Sequence, residues 1–195
     1  MSALDRLPLK TRTPIEWVRA VESDFDSFLL DHAACERKAF STAMSLISKF
    51  HDKKAIIEPM ICLAKEELQH YHEVYRLIAK RDLNFGLIQK DIYIKKLLKH
   101  IRTPREEHFM DKLISLALIE ARSCEKFQLL GKELKDEKLR DFYARLAREE
   151  AGHYTIFIRL AKLYHEAEVV EKRLEEFLEI EAQIMAETPI GARMH

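Results

Sequence analysis

Residues 65–74 read KEELQHYHEV. Three glutamates and two histidines fall in ten residues, within a stretch whose apolar members Leu63, Ala64, Tyr71 and Val74 recur at helical spacing. Glu67 and His70 are three apart, so on a helix they lie about 60° apart around the axis and one turn along it. A carboxylate and an imidazole placed that way reach a common metal ion. The question is whether the rest of the chain supplies the other ligands.

It repeats the motif. Glu150-Ala151-Gly152-His153 is a second Glu-x-x-His, flanked by Leu146, Ala147, Tyr154 and Phe157. With 23 glutamates and nine histidines, chance alone gives about one such match, so the pair proves little by itself. Spacing adds the weight. Glu36 precedes Glu67 by 31 residues, and Glu120 precedes Glu150 by 30. Both sit among apolar or small residues at helical spacing: Leu29, Ala33, Phe40 and Ala43 around Glu36, and Leu116, Ala117, Cys124 and Phe127 around Glu120. A carboxylate on such a face is costly to bury unless it is paired or bound to a metal. Glu125 competes with Glu120, because it follows Cys124 as Glu36 follows Cys35; its face carries Arg122 and Gln128, and its spacing to Glu150 is 25. Glu66, Glu149 and His72 point off the ligand face. His32, one turn before Glu36, reads as a core histidine or as a partner of the ligand.

The surrounding pattern is helical. Thr13-Pro14 opens a short helix to about Ser23, followed by long helices over about 23–49, 53–80, 104–131 and 135–165, with Pro59 near the start of the second. Gln89 to Ile101 reads as a short helix inside a long crossover, and about 167–187 as a last charged helix before an irregular tail. Four long helices with two short connections and one crossover make a ferritin-like four-helix bundle, all-α, with short extra helices at the N-terminus, crossover and C-terminus. One domain over 1–195 is expected, with its core at about 23–165. In such bundles a Glu from each of two helices and Glu-x-x-His from the other two hold two iron or manganese ions. The oxygen and imidazole set Glu36, Glu67, His70, Glu120, Glu150 and His153 suits those metals.

Composition sets the remaining bounds. The 195 residues carry 33 basic and 33 acidic side chains, but these are unevenly spread. Residues 76–105 hold nine basic against two acidic, and 166–187 hold eight acidic against two basic. Arg81, Lys90, Lys95, Lys96, Lys99, Arg102 and Arg105 of the crossover are candidates for phosphate contacts. Tyr93 and Phe85 are candidates for stacking on bases, with packing the alternative. The three cysteines are expected to be reduced and buried, the opening residues lack the apolar core of a signal peptide, and no apolar run is long enough to span a membrane, so a cytoplasmic protein is expected.

Four segments, DHAACERKAFSTA (31–43), LAKEELQHYHEV (63–74), IEARSCEKF (119–127) and FYARLAREEAGHY (142–154), resemble the tRNA 2-methylthio-N6-isopentenyladenosine hydroxylases, with a weaker echo in ETPIGARMH (187–195). These are bacterial non-haem di-iron monooxygenases. The resemblance implies that the six residues above are iron ligands and the catalytic centre. It further implies that the substrate is the hypermodified adenosine at position 37 of tRNA, and that O2 and an external two-electron donor, hence a reductase, take part. Oxygen insertion into an unactivated C–H bond needs an oxidant that side chains lack, which fits a metal site. Other di-iron or di-manganese oxidoreductases acting on a small molecule, such as a quinone-ring hydroxylase or a manganese catalase, and an iron store share the ligand motif. Dependence of the product on modified tRNA separates them.

Overall fold

The computed structural model describes residues 7–86 and 91–195, which are helical with no strand among them. In chain order the helices are α1 (Ile15–Ser23), α2 (Phe25–Lys49), α3 (Ile57–Lys80), α4 (Ile92–Leu98), α5 (Arg105–Glu133), α6 (Glu137–Glu150), α7 (His153–Tyr164) and α8 (Ala167–Glu187). They divide into two compact units, residues 20–89 with 191–194, and residues 1–19 with 90–190 and 195.

The first unit is the α2–α3 hairpin. Asp24 caps α2 by accepting from the Ser27 N–H at 3.2 Å. A 3-10 turn over Lys54–Ile56 leads into α3, where Pro59 sits in the first turn and costs no intrahelical hydrogen bond. Phe28, Leu29, Ala33, Ala43 and Leu46 of α2 are buried, as are Met60, Leu63, Ala64, Val74 and Ile78 of α3. Each large apolar side chain so buried contributes roughly 1.5–3 kcal/mol. α3 stops at Arg81, and Asp82 takes φ 54°, a left-handed conformation that a short polar side chain tolerates.

The second unit is organised by α5, which is buried on nearly every side between Phe109 and Phe127. It packs against α6, α7 and α8. The helix expected to end at about Gly131 runs on to Glu133. The glycine serves a close helix approach instead: a Cβ there would meet the Ala144 backbone at 2.8 Å. The helix expected over 135–165 is interrupted at Ala151 and Gly152, between α6 and α7. Both residues keep right-handed helical angles, so the break lies in the hydrogen-bond ladder rather than in the chain's course. The crossover helix is shorter than expected, Ile92–Leu98. The tail is irregular but anchored: Met194 is buried, and the His195 ring stacks on Tyr93 at 5.0 Å.

Candidate metal centre

Glu36 lies about three turns back from the hairpin connection on α2, and Glu67 about three turns along α3, so the fold of the hairpin sets them level. With His70 they form a triad whose ligand atoms lie within 4.8 Å of one another. All three are buried, with 5%, 1% and 3% of their surface exposed. His70 Nδ1 lies 3.8 Å from Glu36 Oε2, and the other Glu36 oxygen lies 2.6 Å from His32 Nε2. His32 is therefore the partner of the Glu36 carboxylate as well as a core residue.

The second unit builds the same triad from Glu120 on α5, Glu150 at the end of α6 and His153 at the start of α7, again with ligand atoms within 4.8 Å. His153 Nδ1 lies 2.6 Å from Glu150 Oε2 and 3.9 Å from Glu120 Oε2. The interruption of the fourth helix falls between Glu150 and His153 without separating them. Each triad thus gathers two carboxylates and an imidazole away from solvent. Two carboxylates that close repel, and a cation at their centre reverses the sign of the interaction. The donors are oxygen and nitrogen, which fits iron or manganese. Cys124 lines the same unit, but burial pushes its thiol up to about 12, so it stays protonated.

The neighbours sort themselves. Glu125 is held by Arg122 (2.6 Å) and by the N–H (2.9 Å) and hydroxyl of Thr13. Arg122 is fully buried and also grips Glu181 through three hydrogen bonds of 2.7–3.0 Å. Burial opposes its charge, yet Glu181 and Glu125 hold it above the usual arginine value. Glu66, Glu149 and His72 are exposed, and Glu149 pairs with Arg145. Cys124 is buried as expected, but Cys35 is half-buried and Cys62 exposed. The Arg122 network was missed from sequence, since nothing in the local pattern links residue 122 to residue 181.

Several candidate phosphate contacts already have partners. Arg81 pairs with Asp26, Lys96 with Glu187, Arg102 with Asp111, and Arg105 with Glu106. Lys95 and Lys99 are exposed on and just after α4, and Lys90 lies outside the described residues. Tyr93 is fully buried and donates to Glu181 at 3.0 Å, which removes it as a stacking platform. Phe85 is half exposed and stacks on Tyr75. Among the described residues no helix is long and apolar enough to cross a membrane.

Comparison with known proteins adds to this geometry. The family model described as tRNA-(MS[2]IO[6]A)-hydroxylase (MiaE) matches residues 4–195. A tRNA 2-(methylsulfanyl)-N(6)-isopentenyladenosine(37) hydroxylase of Pseudomonas putida is 35% identical over 183 residues, covering 94% of this chain and 89% of the relative. The protein of the same name in Salmonella typhimurium is 30% identical, covering 94% and 85%. A solved structure, a Synechococcus protein with aldehyde deformylating oxygenase activity, superposes with a TM-score of 0.91 at 29% identity, over 96% of this chain and 94% of that one. The fold is accordingly all-α and ferritin-like. By a match that runs from residue 4 to residue 195, the chain belongs to the tRNA-(MS[2]IO[6]A)-hydroxylase family of enzymes.

Proposed function

We propose that this protein hydroxylates the isopentenyl side chain of 2-methylthio-N6-isopentenyladenosine at position 37 of tRNA, in the cytoplasm, as one domain over residues 1–195. The observation that carries the reading is the pair of buried Glu, Glu-x-x-His triads of identical composition, one in each unit. In this reading Glu36, Glu67 and His70 together with Glu120, Glu150 and His153 hold two iron ions, with manganese the other metal the donors suit. When bound, the iron pair supplies the activation of O2 that side chains lack, and a reductase supplies two electrons.

The chain's own residues do the rest. His32 fixes the direction of the Glu36 carboxylate through its 2.6 Å contact. Ala33 and Leu63 in one unit, and Ala117, Cys124 and Leu146 in the other, are buried about one helical turn from triad residues, an apolar setting in which the reaction is kept from water. That surrounding suits a prenyl chain. The similarity to an aldehyde deformylating oxygenase structure makes a small-molecule oxidoreductase the second reading, since the same fold serves both chemistries. The length of the family match favours tRNA.

The test is nucleoside mass spectrometry on tRNA carrying the prenylated adenosine, incubated with iron-loaded protein, reductant and O2. One added oxygen on that nucleoside is expected, absent with Glu67→Ala and His153→Ala. No added oxygen from protein that has its full iron content would overturn the tRNA assignment and move the search to small molecules.

A further inference from the structure

A recess of about 470 Å³ lies within the unit formed by residues 20–89 and 191–194. That volume falls in the range that takes a small organic ligand. Its apolar side is Leu30, Ala33 and Ala34 of α2. Ala33 is one turn before Glu36, and by helix geometry lies on the strip between Glu36 and Arg37. The recess therefore borders the helix face that carries a triad ligand.

Its rim has a different chemistry. Arg37 is exposed there, and Arg193 is brought to it by the tail, which is pinned where the Met194 N–H donates to Asp31 Oδ2 at 2.8 Å. Asp31 is thus engaged by the tail, and Asp24, also on the wall, by the cap of α2. Phe85 completes the rim. It is 50% exposed and lies parallel to Tyr75, itself 45% exposed, with ring centroids 6.3 Å apart and planes 5° apart. A flat aromatic pair kept in water beside arginines matches what unpaired nucleotides bind: a face for the base and cations for its phosphates.

We infer that this recess seats the target nucleotide of the anticodon loop, with the base against Phe85, the flanking phosphates on Arg37 and Arg193, and the apolar substituent along Leu30, Ala33 and Ala34 towards Glu36. The inference rests on the hydroxylase reading and extends it to residues outside the basic crossover. The C-terminal segment then has a role in substrate binding, because it carries Arg193.

The test uses the metal-loaded full chain and an RNA hairpin carrying the prenylated adenosine in its loop. Binding and hydroxylation are measured for wild type, Phe85→Ala, Arg37→Gln, Arg193→Gln and, as a surface control, Lys162→Gln. Phe85→Ala is expected to weaken hairpin binding about tenfold. Each arginine variant is expected to lower the salt dependence of log Kd by about 0.7, the value for one phosphate contact on a single strand. Lys162→Gln, outside the recess, should keep wild-type binding and hydroxylation, and an unchanged melting temperature in the recess variants separates a lost contact from a structural defect. Hairpin binding within about twofold of wild type in all three variants, with hydroxylation of the hairpin intact, overturns the recess and leaves the hydroxylase reading standing. A metal-loaded wild type that neither binds nor hydroxylates the hairpin overturns both.

Discussion

His32 Nε2 and Glu36 Oε1 lie 2.6 Å apart, one helical turn from each other on α2, with His32 wholly out of solvent. A contact this short holds the carboxylate so that its second oxygen faces His70. On the proposed reading His32 is a positioning residue. His32→Ala should lower iron affinity about 10–100-fold, the usual effect of removing the partner of a metal ligand. Competitive chelator titration measures it, and His32→Gln should recover part of the loss. Unchanged affinity in both variants would reduce His32 to a packing residue.

Metal removal should destabilise the protein, because each triad brings two buried carboxylates together. Metal at about a hundred times its Kd stabilises the folded state by about 2.7 kcal/mol. For a chain of this size that raises Tm by about 5–10 °C. Calorimetry of apo and iron- or manganese-loaded protein reads the shift. Equal melting curves would argue against metal binding by the folded state.

Arg122 holds Glu181 and Glu125 together inside the second unit. Arg122→Met keeps the length of the side chain but leaves two buried carboxylates without their cation. The expected cost is about 3–5 kcal/mol in denaturant unfolding. Removing the carboxylates as well, in Arg122→Met/Glu125→Gln/Glu181→Gln, should restore much of it. A single variant as stable as wild type would show that the network is not structural.

Asp111 gives the acid limb of stability. Burial pushes its carboxyl up, but hydrogen bonds from Arg102 and Arg173 outweigh that and hold it below the ordinary value of 3.8. A depressed folded value contributes stability above about pH 3.8 and loses it as pH falls through the folded value. Asp111→Asn should therefore lower stability at neutral pH and flatten the loss on acidification. Unfolding followed from pH 7 down to pH 2 checks this; parallel curves for the two proteins would contradict it.

The clustering of the candidate residues was legible because a helix converts spacing into direction. Glu36, Glu67 and His70 needed only periodicity and a short connection to be placed together, and Glu120, Glu150 and His153 followed the same rule. α8 was readable to the residue, since an acidic amphipathic run ends where Thr188-Pro189 begins. The interruption at Ala151–Gly152 was not, because Gly152 alone is tolerated in a helix and its neighbours keep the helical pattern. The reason for Gly131 is the close Ala144 backbone, a contact no local pattern encodes. Arg122 and Glu181 are 59 residues apart, and the buried Tyr93 donates to the same Glu181 across 88 residues. Long-range pairing of this kind has no periodic signature.

The most direct test of the paired triads is Mössbauer spectroscopy on protein loaded with isotopically enriched iron, with Glu36→Ala and Glu120→Ala alongside wild type. The account predicts two irons per chain held by oxygen and nitrogen donors, and a lowered iron signal in either variant. Wild-type protein with no bound iron, or variants that keep the full wild-type signal, would contradict it.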